Sequence, residues 1–185
     1  MEKQTSKDRA ARFHSGGLTD GWRWFGAHPA KRRGRSGWLF RVWAPQARAV
    51  SVAGDFNGWS TDANPLKKNG EVWEGFIPDL PVYTAYKYAV LGCDGELHMK
   101  ADPYGFHTET RPATASKLYD IDGFSWSDQV FRQRKQRHLV YDSPLNIYEV
   151  HLGSWRRREN GDFIDYRDLA RQLAAYVREM GYTAI

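Results

Sequence analysis

Cys93 is the chain's single cysteine, so no internal disulfide framework and no cysteine-built zinc site can form. No glycine-rich phosphate loop, zinc-ligand spacing or calcium loop occurs among the 185 residues, and neither a cofactor nor a metal is expected. His151 stands without a partner at ligand or base spacing and reads as a hydrogen-bonded structural histidine. The carboxylates Asp102, Glu109, Asp120, Asp122 and Glu149 are scattered among loop-like and strand-like segments. Nothing in their spacing brings two of them to the fixed geometry that acid–base work needs, so no catalytic residue is expected in the chain.

The elements that would position these residues follow from periodicity. Residues 1–37 read as a basic, flexible arm with an aromatic anchor at 22–29 (Trp22, Trp24, Phe25) and a second flexible stretch at 31–37. Residues 1–41 carry ten Lys/Arg against three Asp/Glu, so the net charge of +5 belongs to the arm. A solvated extension explains that charge better than a nucleic-acid face, which needs base-stacking aromatics on a folded surface. No apolar run approaches the ~20 residues of a bilayer span and no secretory h-region is present, which points to a cytoplasmic protein and no membrane partner.

From 38 to 120 the pattern alternates with period two, in runs at 38–43, 48–54, 71–77, 84–91, 96–100 and 115–120. Asn57-Gly58, Asn69-Gly70 and Asp94-Gly95 supply turn chemistry between them. Short strands, frequent turns and 27 aromatic residues predict a mainly β architecture, an immunoglobulin-like antiparallel β-sandwich over 38–120. Trp43, Trp73, Tyr86 and Tyr88 fall at strand spacing and are expected in its core or at an interface. A connector spans 121–145, with room for a short helical turn. Residues 145–153 (LNIYEVHLG) then read as a strand buried on both faces. A helix follows over 165–181, capped by Asp165 and ended by Gly181, with Leu169, Leu173, Tyr176, Val177 and Met180 on one face. The final YTAI begins another strand, so 146–185 is expected to be an incomplete βαβ segment.

The segments FRVWAPQARAVSVAGDFNGW, YKYAV, ADPYGF, RPATAS and IYEVHLGSWRRR occur in one collinear order and resemble bacterial 1,4-α-glucan (glycogen) branching enzymes. The resemblance runs from about Trp22 to Ile185. It implies a glucan-binding-type module at 38–120 and the start of the (β/α)₈ catalytic barrel of the α-amylase superfamily at 146–185. The catalytic carboxylates of that family lie on later barrel strands, so the chain alone is expected to be inactive, with the rest of the barrel as its missing partner. The implied activity is retaining cleavage of α-1,4 links and transfer of the glucan to a 6-hydroxyl.

Similarity to glycogen-binding modules further implies α-glucan as ligand, with Trp59 as aromatic platform, Lys87 as polar contact and Asn57 as loop former or sugar contact. Trp59 reads equally as a plug beneath its own loop. A second platform tryptophan of those modules is replaced by Leu97. His151, Trp155 and Arg156 would lie at the barrel mouth, where they contact glucan or seal the module against the barrel. The 102–112 loop suits the same docking. Two rival functions share these features: a stand-alone glucan-binding or regulatory module, and the N-terminal part of a debranching or trehalose-releasing hydrolase.

Overall fold

The computed structural model describes residues 6–137 and 140–185. The arm's residues 1–5 and the connector's 138–139 lie outside the described residues. Two compact units divide the chain, residues 1–124 and 125–185.

The first unit is a β-sandwich. One sheet has the order β1 (Gly26–Arg32), β2 (Arg35–Trp43), β5 (Val72–Pro78), β4 (Lys67–Asn69), all antiparallel. The other runs β3 (Ala49–Gly54), β6 (Ala85–Leu91), β9 (Ser116–Lys117), β8 (His107–Thr108), and β7 (Leu97–Lys100) also pairs with β6. Alternation decides what is inside. Trp38, Phe40 and Val42 of β2 meet Val50 and Val52 of β3 and Tyr86 and Tyr88 of β6 in one core. Phe40 packs edge-on against Tyr86 at 5.2 Å between ring centres. The segment before β4 links the sheets: Leu66 N–H donates to Val50 O on β3, and Lys67–Asn69 then pairs with β5.

Two parts of the expected flexible arm are ordered. Residues 31–37 form the tip of the β1–β2 hairpin, with Arg32 opposite Arg35. Arg33 (φ +49°) and Gly34 (φ +81°) take the left-handed conformations that a two-residue primed turn demands. The basic composition hides the turn because arginine is a rare occupant of that position, and β1 carries a proline, Pro29. The proline is tolerated because β1 is an edge strand. Upstream, Ser6–His14 forms α1, whose Ala10 and Phe13 pack on Trp24, Phe25 and Val72. Phe13 meets Phe25 at 4.6 Å and Trp43 at 5.6 Å. The aromatic anchor thus gives a short, mostly polar helix an apolar seat.

A buried carboxylate knits the second sheet to the 102–106 loop. Asp102, only 7% exposed, accepts hydrogen bonds from the hydroxyls of Tyr86 (2.7 Å) and Tyr88 (3.2 Å) and from Tyr104 N–H (2.8 Å). Burial pushes its carboxyl above the usual value, against the pull of those bonds. Burial and then the Asp102 charge raise both tyrosines well above theirs. Asp102 is therefore a structural residue of the sandwich rather than an exposed docking contact.

The second unit holds α2 (Gln129–Arg137), the short α3 (Leu152–Trp155) and α4 (Tyr166–Glu179). Asp165 caps α4, accepting from Arg167 N–H and Asp168 N–H, both at 3.0 Å. At the other end Tyr182 N–H reaches Val177 O (2.9 Å) and Gly181 N–H reaches Arg178 O (3.3 Å), with Gly181 at φ +75°. The expected doubly buried strand at 145–153 is replaced by a single parallel bridge, Ile147 to Ala184, followed by α3. Leu145, Ile147 and Leu152 are exposed because these residues supply only that one strand neighbour. Of the predicted apolar face of α4, Leu169 and Leu173 are buried, while Met180 is 54% exposed.

Candidate functional site

The loop after β3 is built by side chains bonding their own backbone. Gly54 ends the strand where any Cβ would fall 2.3 Å from Ala85 O, so only glycine fits. A 3₁₀ turn, Asp55–Asn57, follows, and then Gly58 and Trp59, both at φ +62°. Asn57 locks the loop: its Oδ1 accepts from Gly54 N–H (3.0 Å), and its Nδ2 donates to Asn64 Oδ1 (2.7 Å) and Val52 O (2.9 Å). The amide of Asn57 is thereby committed to shaping the loop.

Trp59 is held open. Its indole N–H donates to Asp55 Oδ1 (3.1 Å), its backbone N–H donates to Gly54 O (2.9 Å), and the residue stays 36% exposed. A plug beneath the loop would be buried. The other Asp55 oxygen accepts from Ala85 N–H at 3.4 Å, which ties the loop to the start of β6. A left-handed backbone at a bulky residue is strained, and such strain persists only where surrounding bonds hold it.

Lys87 lies on β6 opposite Ala53, one register step from the Gly54–Tyr86 pair. Its neighbours Tyr86 and Tyr88 fill the core, so Lys87 faces outward. Its ammonium donates to Thr114 Oγ1 at 2.7 Å. Thr114, which sequence reasoning did not single out, therefore belongs to the same outer face. The only signal for it was its place just ahead of β9. An exposed indole and, on the outer face of β6, an ammonium bonded to a hydroxyl are group types that suit a sugar ring, with C–H bonds against the aromatic and hydroxyls toward the polar groups. Leu97, on β7, is 50% exposed and adds no ring.

His151, Trp155 and Arg156 lie in the 125–185 unit. His151 Nδ1 lies 2.9 Å from Ser154 Oγ, a local bond at the start of α3. Trp155 is half-buried in an aromatic cluster: its indole N–H donates to Tyr148 OH (3.0 Å) and its ring meets Tyr176 at 5.7 Å. Arg156 stacks over Trp155 at 4.4 Å. Among the described residues no group of three or more His, Cys, Asp or Glu is placed to hold a metal ion.

Residues 24–105 match the family model described as carbohydrate-binding module 48, the isoamylase N-terminal domain. The module's boundary agrees with the ordered β1–β2 hairpin. The chain as a whole is similar to the N-terminal part of 1,4-alpha-glucan branching enzymes. It is 46% identical over 175 residues to that of Geobacillus stearothermophilus, covering 94% of this chain and 27% of the relative. With the Bacillus subtilis enzyme it shares 41% identity over 176 residues, covering 94% and 28%. The chain thus spans little more than a quarter of these relatives' length. A solved Salmonella typhimurium structure designated an alpha amylase superposes with a TM-score of 0.56 at 19% identity, covering 86% of this chain and 24% of that one. That likeness concerns fold alone.

Proposed function

We propose that the module binds α-glucan through Trp59, Lys87 and Thr114, and that the chain serves as the N-terminal portion of a 1,4-α-glucan branching enzyme. In that enzyme the catalytic residues lie outside these 185 positions. The reaction retains configuration: one carboxylate captures the cleaved α-1,4 chain as a glycosyl ester, and an acceptor 6-hydroxyl then takes it as an α-1,6 branch. The setting is glycogen formation in the cytoplasm, and the lone free Cys93 fits a reducing compartment. Among the described residues no helix is long and apolar enough to cross a membrane.

The carrying observation is the exposed indole of Trp59, held open by Asp55 in a module of a carbohydrate-binding family. Titration with glycogen or maltoheptaose tests it. Trp59→Ala is expected to weaken binding about tenfold, the scale of one aromatic contact, without lowering thermal stability. Unchanged affinity in that variant overturns the assignment. An amylose assay of the chain alone is expected to give no new α-1,6 branches.

A further inference from the structure

A second feature of the first unit lies outside the Trp59 loop and is formed largely by residues flanking the matched module. A cleft of about 200 Å³ is lined by Trp22, Phe106 and Tyr119, by Asp120 and Asp122, and by Arg23. Trp22 is 41% exposed, yet its ring is fixed. Arg23 stacks on it at 4.6 Å, and Phe106 meets it edge-on at 6.3 Å. His28 supports Phe106 from another side, its ring 5.5 Å away and its Nε2 2.8 Å from Phe25 O. Asp120 and Asp122 are held by a tight turn in which Asp122 N–H donates to Asp120 Oδ1 at 3.0 Å. One carboxylate oxygen is thereby used to shape the wall.

These parts fit one ligand chemistry. A rigid indole and a tyrosine offer apolar faces to the C–H side of a pyranose. Carboxylates accept from sugar hydroxyls in charge-assisted bonds, and a guanidinium donates to ring or glycosidic oxygens. A purely apolar peptide would leave both carboxylates unpaired, at a desolvation penalty. The volume has room for one sugar ring. We propose that this cleft is a second glucan subsite, separate from the Trp59 loop, which holds a single pyranose unit of an α-glucan chain. It rests on the reading of the module as a glucan binder.

The test is calorimetric titration of the full chain with maltotriose, a ligand chosen to occupy one site at a time. The unmodified chain is expected to bind two equivalents. Trp59→Ala and Trp22→Ala are each expected to keep one equivalent at its original affinity while the other falls about tenfold and out of the measured range, and the double variant is expected to show neither. If Trp59→Ala abolishes all binding and Trp22→Ala binds as the unmodified chain does, the cleft is overturned and the loop site stands. If Trp22→Ala loses an equivalent and Trp59→Ala does not, the cleft stands and the loop assignment falls. No binding by the unmodified chain overturns both. Should Trp22→Ala misfold, Asp122→Asn carries the test, because it keeps the shape of the wall. It is expected to weaken one of the two sites about tenfold, the size of a lost charge-assisted bond. Two undisturbed sites in that variant overturn the cleft.

Discussion

The two units of the chain solve the problem of burial unequally. In residues 1–124 two sheets face each other and enclose rings as large as Phe40, Tyr86 and Tyr88. In 125–185 Leu169 and Leu173 are the buried hydrophobics among the described residues, and a half-exposed set of tyrosines with Trp155 does the rest. A sandwich closes on itself within about a hundred residues. A parallel strand and its helix close only when further strands flank them, because a lone strand leaves both faces open. The lesson is that good local structure, such as the fully capped α4, does not by itself make a core.

Hydrogen exchange gives that contrast its sharpest test. Amides in β2, β5 and β6 are expected to exchange at least about a hundredfold more slowly than those of α4, since protection follows the free energy of opening each unit. Equal protection would mean that 125–185 is as well closed as the sandwich. Point substitutions probe the same asymmetry. Phe40→Ala is expected to lower the stability of the first unit by about 3–5 kcal/mol in denaturant melts. Leu173→Ala is expected to leave that transition where it was and to reduce helical signal from α4 alone. A shared loss would show that the units unfold together.

Asp102 tests the first unit from a different direction. Its folded pKa is raised by burial, so the protonated form is the one the fold favours. The associated stabilisation is present in full below the ordinary carboxylate value and is lost as pH rises through the raised one. Asp102→Asn stays neutral at every pH and retains an acceptor for Tyr86 or Tyr104. In urea melts from pH 4 to pH 7, the advantage of the natural chain over this variant is expected to shrink as pH rises. A gap that widens with pH would reverse the sign of the burial argument. Exchange at α4 should follow neither change.

Much of this architecture was readable in the alternation of residues. Run 84–91 starts one residue before β6 and ends with it, and run 71–77 lies one residue ahead of β5 at each end, because a half-buried strand writes its period directly into the chain. The 31–37 turn and α1 were hidden because their causes are not local composition. Arg33 adopts a glycine-like φ, and α1 is stabilised by a seat that Phe25 and Trp24 provide from elsewhere. The segment at 145–153 falls short of a strand for the opposite reason: its apolar residues describe a surface suited to strand neighbours, and among the described residues the bridge it forms is the one from Ile147 to Ala184. At the proposed glucan site, DFNGW and YKY point to Trp59 and Lys87. Asn57's amide network and the Lys87–Thr114 bond depend on chain segments that only folding brings together.

The smallest predicted effect isolates backbone conformation from packing. Gly181 ends α4 at φ +75°, and a Cβ built there meets nothing within 4 Å. Gly181→Ala therefore introduces no clash, and its whole effect is the penalty of holding an L side chain in the left-handed region, about 1 kcal/mol. Asn tolerates that region better, so Gly181→Asn should lie between the two. The readout is exchange at the amides of Gly181 and Tyr182, whose bonds to Arg178 O and Val177 O define the helix end. Fraying is expected at this end and in the contacts of Thr183 and Ala184 with Asn146 and Tyr148 that follow it. If Gly181→Ala instead loosened Leu169 and Leu173, the cap would be setting the stability of the whole unit, and its thin core would matter less than its helix end.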